Sequence, residues 1–137
     1  MENTLSQLSD MIYAFGNDVH LLHFHTVGEN FLEYHEILNE LYDICFDMYD
    51  AISEQAIAEG EIIDNPSLAS ERADWKPLEL KEYTVEDILD YMQTKGEFVL
   101  SEIANIKEYP SYIQSIVDSY TEDLATIIKY KLNQSAK

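Results

Sequence analysis

The residues best suited to chemistry in this chain are two histidines, an aspartate and a glutamate: His23, His35, Asp50 and Glu54. Imidazole plus carboxylate is a ligand set that suits iron or zinc. Asp50 and Glu54 share one helical face at an i, i+4 interval. Their distance from the histidines constrains the chemistry. If residues 30–60 form one helix, His35 and Glu54 lie about 28 Å apart at roughly 1.5 Å per residue. One chain cannot bring them to one ion; two chains can. Asn39, one turn beyond His35, lies on the same side and offers only a neutral amide. A di-metal site inside one bundle would need two Glu-x-x-His motifs. The residues three before His20, His23, His25 and His35 are Asn17, His20, Leu22 and Leu32, so those motifs are absent.

Four helical segments must position these groups. The first runs from Thr4 to His25, with Leu5, Leu8, Ile12, Phe15, Val19 and Leu22 forming one apolar stripe at alternating steps of three and four. Val27-Gly28 breaks it, and Asn30 is placed to cap the next helix. The second runs from Phe31 to Glu59 and stops at Gly60, with Phe31, Tyr34, Leu38, Leu41, Cys45, Met48 and Ile52 as its stripe. The third starts at Thr84, where Thr84 and Asp87 have the form of a capping box. It carries Val85, Ile88, Leu89, Met92, Val99, Leu100, Ile103 and Ile106. The fourth starts near Pro110 and carries Ile113, Ile116, Val117, Tyr120, Leu124, Ile127 and Ile128. Only the link from Glu61 to Tyr83 is long. Short links make helices one and two, and three and four, antiparallel neighbours; a long middle link lets helix three run parallel to helix two. The expected fold is therefore all-α, a ferritin-like four-helix bundle with one long crossover between helices 2 and 3. Residues 1–137 read as a single domain, without repeats or low-complexity tracts.

Composition limits the partners. The chain has 137 residues, 46% of them hydrophobic, enough for one core. Lys and Arg total 8 against 27 Asp and Glu, a formal charge of -19. Such a surface repels a phosphate backbone, and no basic patch or basic N-terminal tail offsets it, so direct DNA binding is not expected. The acidity serves solubility in the plainest reading. It also suits attraction of cations, or imitation of a nucleic acid toward a basic protein partner. Cys45 stands alone, which excludes an internal disulfide. It falls on the second stripe as a small buried hydrophobe. The chain shows no signal peptide and no apolar run long enough for a membrane span, so a reduced, cytoplasmic setting is expected.

The second helix has a further apolar side. Leu32, Phe46 and Ile57 fall near His35, Asn39, Asp50 and Glu54, well away from the main stripe. A helix apolar on two faces is buried on two faces. A second copy placed antiparallel, crossing between Ile44 and Cys45, sets His35 opposite Glu54, Asn39 opposite Asp50 and Leu32 opposite Ile57. One two-fold operation thus creates two identical mixed sites. His23, at the close of the first helix, joins the histidine end across the short loop.

From His23 to Gly60 the chain resembles the Dps family, the ferritin-like miniferritins named as DNA-binding proteins from starved cells. His23, Phe24, Gly28, Phe31, His35, Asp50 and Glu54 keep every interval of that family's pattern. The resemblance implies a ferroxidase centre across a two-fold axis, with His23 and His35 from one subunit and Asp50 and Glu54 from the other. It implies iron (Fe2+/Fe3+) as the metal, oxidation of Fe(II), often by peroxide, and storage of ferric mineral inside a dodecameric shell. Where the family carries a further aspartate, this chain has Asn39, a poorer iron ligand without charge. The tryptophan usual after the first histidine is Phe24. The crossover is short for the family, with residues 64–72 supplying a turn or two. The alternative class is a catalytically weakened ferritin-like acidic protein that occupies a basic partner surface, as a nucleic-acid mimic or inhibitor.

Overall fold

A computed structural model describes residues 4–105 and 109–137. Helix α1 spans Leu5–His25. Thr4 starts it with a capping box: its hydroxyl accepts the Gln7 N–H at 3.2 Å, and the Gln7 side chain accepts the Thr4 N–H at 2.9 Å. All six residues of the predicted α1 stripe are buried. Thr26 turns extended, and the chain there pairs with Tyr83 in a parallel bridge. Tyr83 donates its N–H to the His25 carbonyl at 2.9 Å, and Val27 donates to the Tyr83 carbonyl at 3.0 Å. The far end of the crossover is thereby tied to the close of α1.

Helix α2 spans Phe31–Ala58. Its predicted stripe is fully buried from Tyr34 to Ile52, but Phe31 is 38% exposed and does not join the core. Asn30 precedes α2 without capping it. Its side-chain amide instead donates to the carbonyl of Ser135 at 2.9 Å, and the Tyr34 hydroxyl donates to the Leu132 carbonyl. The start of α2 is pinned to the end of the last helix rather than closed on itself. At the other end Gly60 adopts φ 88°, with Gly60 N–H bonded to the Ile57 carbonyl and Glu61 N–H to the Ala56 carbonyl. This is a Schellman motif, which needs a left-handed residue that glycine adopts without a Cβ penalty.

The crossover carries a 3-10 turn, Pro66–Leu68, and a one-turn helix α3, Ala69–Arg72, matching the turn or two expected there. Arg72 forks onto Asp10 of α1 at 2.8 and 2.9 Å. Trp75 then drops into the core beside Phe15. The third bundle helix is α4 (Val85–Tyr91), a π-helical stretch (Met92–Gly96) and α5 (Glu97–Ala104). Thr84 and Asp87 form the predicted capping box. The fourth is α6 (Ser111–Ala125), a second π-helical stretch (Thr126–Lys131) and α7 (Leu132–Ser135). Ile106, assigned to the third stripe from sequence, lies outside the described residues. Because the crossover returns to the α1 terminus, α4 and α5 run parallel to α2, and the fourth helix ends back at Asn30. The fold is the one-crossover, all-α bundle expected. Among the described residues no helix is long and apolar enough to cross a membrane.

Candidate metal centre

The site begins with a free carbonyl. Because α1 ends at His25 and the Val27 N–H is committed to Tyr83, the carbonyl of His23 has no helical partner. The ring of His35 fills the gap, its Nδ1 lying 2.9 Å from that oxygen. The contact is returned: Nδ1 of His23 lies 2.7 Å from the carbonyl of His35. A carbonyl only accepts, so both Nδ1 atoms must carry the hydrogen. In each neutral ring the lone pair is then on Nε2, the arrangement that readies a histidine for a metal. The rings stack with centroids 3.8 Å apart and 21° between planes. Burial holds the His23 pKa below its ordinary value, although its bond to the His35 carbonyl pulls the other way. Neutral imidazole is the form a cation can use.

Aromatic rings surround the pair. Phe31 lies 5.2 Å from His35, and Tyr42 lies 5.3 Å from His23. His20 packs against Tyr42 at 4.3 Å and Phe24 at 4.6 Å. His20 lacks a glutamate three residues earlier and so carries no Glu-x-x-His signature, yet it belongs to this wall. Its i, i+3 relation to His23 was the available signal. Asn39 is half-buried, and its Oδ1 accepts the Tyr42 hydroxyl at 2.7 Å. The amide oxygen that would serve a metal already has a partner.

Asp50 and Glu54 are exposed on α2 and form no ion pair among the described residues. Glu54 borders a shallow groove with Gln55, Ser115, Ser119 and Tyr120. The two carboxylates therefore sit at the opposite end of α2 from the histidines. Among the described residues no three His, Cys, Asp or Glu side chains of one chain converge to hold a metal. Leu32 and Ile57, which the pairing places opposite each other, are 69% and 60% exposed, and Phe24 beside the histidines is 62% exposed. Cys45 is wholly buried and burial pushes its thiol pKa far up, which suits a packing role.

One buried carboxylate lies elsewhere. Asp18 accepts the Trp75 indole N–H at 2.9 Å and the Tyr91 hydroxyl at 2.8 Å on one oxygen, and the Leu78 N–H at 3.1 Å on the other. Desolvation raises its pKa against the pull of these donors and of the Lys95 charge. Its partners are the crossover and α4, so it fastens the fold and does not face the histidines.

No protein-family model matches the chain, and no curated protein matches it. A solved structure does: a C-terminal deletion mutant of Mycobacterium smegmatis Dps, with a TM-score of 0.74 over 93% of this chain and 94% of that one. The fold is Dps-like. At 16% identity the likeness extends to the fold and the order of its helices.

Proposed function

We propose that this protein is a miniferritin that oxidises Fe(II) at sites shared between two subunits and stores the ferric product. Iron is its substrate. His23 and His35 of one chain bind it through Nε2, and Asp50 and Glu54 of the partner supply the carboxylates. The observation that carries this reading is the reciprocal His23–His35 clasp. It spends both Nδ1 atoms on backbone carbonyls and so presents two oriented donors. Asp50 and Glu54, exposed and without an ion pair among the described residues, add to it, because like charges one turn apart repel unless a cation lies near. So does the exposed apolar strip from Leu32 to Ile57, which the antiparallel α2 pairing would cover. A groove of about 360 Å³ is lined by Asp43, Asp47 and Asp123 together with a Glu40–Lys131 ion pair at 2.9 Å, and its net negative charge suits gathering of Fe²⁺.

Subunit mixing tests the shared site. His35→Ala and Glu54→Ala are each expected to abolish Fe(II) oxidation by peroxide. A mixed dimer of the two carries one doubly damaged site and one intact site. Unfolding and reassembling an equal mixture should therefore restore about a quarter of wild-type activity, from two-fold symmetry alone. No recovery in a mixture that reassembles would refute a site divided between chains. Wild-type protein that oxidises Fe(II) no faster than buffer would leave the acidic binding scaffold as the better reading.

A further inference from the structure

Helix α2 carries its outward carboxylates in a single ridge. Glu36, Glu40, Asp43, Asp47, Asp50 and Glu54 follow one another at alternating steps of four and three, and all are exposed. At 3.6 residues per turn they fall within an arc of about 80°. No Lys or Arg occurs before Arg72, so neither α1 nor α2 offers a counter-charge. Among the described residues one ion pair reaches the ridge, from Lys131 to Glu40 at 2.9 Å.

The ridge lies on the face that the two-fold pairing must close. With the helices crossing antiparallel between Ile44 and Cys45, Glu36 comes within one residue, about 1.5 Å, of the level of the partner's Glu54. Glu40 stands likewise to the partner's Asp50, and Asp43 to the partner's Asp47. Like charges facing each other across an interface oppose association. The apolar side chains on the same face are few: exposed Leu32 and Ile57, and half-buried Phe46. The histidine half points to what offsets the repulsion. His23 is 7% exposed, its Nδ1 is spent on a carbonyl, and its Nε2 keeps a lone pair for a cation. Resting on the shared iron site proposed above, we propose that the ridge holds free subunits apart and that Fe(II) joins them. Each ion is held partly by one chain and partly by the other, so metal binding and subunit association are one equilibrium. Two sites close in each dimer. At a free cation concentration ten times the dissociation constant of a site, association therefore tightens about a hundredfold. Iron supply then sets how much of the protein is assembled, and the acidity of α2 makes the apo subunit the resting form.

Anaerobic sedimentation velocity of the full chain tests this without any turnover. In chelator at low ionic strength the wild type should sediment as a monomer. Added Fe(II) should convert it to dimers or larger assemblies, and chelator should reverse the change. Two variants separate ligation from charge. His35→Ala leaves the ridge intact and should lose the response to Fe(II). Glu36→Gln with Asp43→Asn leaves His23, His35, Asp50 and Glu54 in place and should associate in chelator, several-fold more tightly than the wild type. Circular dichroism confirms that both variants, changed at exposed or half-buried positions, keep the helical bundle. A wild type already assembled in chelator at low salt overturns the gate and leaves the shared iron site standing. So does sodium chloride that assembles the wild type as fully as Fe(II), because screening alone then suffices. A wild type that stays monomeric with Fe(II) at every salt concentration overturns the shared site itself, and the gate with it.

Discussion

Asp18→Asn isolates the anchor that fastens the crossover to the bundle. The wild-type carboxylate takes three donors on two oxygens, all at 2.8–3.1 Å. Asparagine has one oxygen. Turned toward Trp75 and Tyr91, it keeps two of the bonds and sets its NH2 against the Leu78 N–H. One bond to a charged acceptor is lost and a donor is stranded, which costs about 1–3 kcal/mol. The amide escapes the desolvation that raises the Asp18 pKa above 3.8, and this gives the prediction its sign. A carboxylate with a raised folded pKa contributes its full stability below the unfolded pKa and loses it as pH rises through the folded one. The wild-type advantage over Asp18→Asn should therefore shrink as pH rises from the unfolded value of 3.8 through the raised folded one. Urea unfolding of both proteins across that range, followed by far-ultraviolet circular dichroism, measures the gap. A gap that stays constant or widens with pH would show that the donors, not burial, dominate at Asp18, and the reasoning would fail.

Gly96→Ala sets helix propensity against space. A Cβ there would meet Ile128 Cγ2 at 3.0 Å and Met92 Sδ at 3.3 Å. Alanine gains about 1 kcal/mol over glycine in a helix, while overpacking costs about 1–3 kcal/mol. The net effect is expected to be a loss of about 1 kcal/mol by thermal unfolding, partly recovered beyond additivity when Ile128→Ala is added. Asn39→Asp should raise the number of Fe(II) ions bound anaerobically per site, the added carboxylate supplying the charge the amide lacks. Unchanged stoichiometry in an Fe(II) titration would count against Asn39 as a limit on iron binding.

The periodic stripes made the bundle legible. Leu5 to Leu22 and Tyr34 to Ile52 are buried as their spacing requires, because a helix repeats its face regardless of its neighbours. The link lengths then left one topology. What escaped the sequence depends on distant contacts. Asn30 has the chemistry of a cap, but the arrival of Ser135 draws its amide away. Phe31 continues the stripe in number yet lies beyond the end of the core. The π-helical stretches carry no residue signature and occur where the two helices approach so closely that Gly96 has no room for a Cβ against Ile128. At the candidate site, residue identity and interval were readable for His23, His35, Asp50 and Glu54. The clasp was not, since it depends on where α1 stops and on Tyr83 claiming the Val27 N–H.

The clasp also bears on the order of folding. His23 and His35 stand twelve residues apart on two helices joined by a short loop, so their mutual contact belongs to the local hairpin of α1 and α2. Contacts of small sequence separation close with little loss of chain entropy and form early. Asp18 and Trp75, by contrast, meet across 57 residues and wait for the crossover to settle. If the site is shared as proposed, its histidine half can be in place on a chain that has not finished folding, while its carboxylate half waits for another finished chain. A nascent chain would then hold paired imidazoles without the means to turn over iron, and reactivity would begin at assembly.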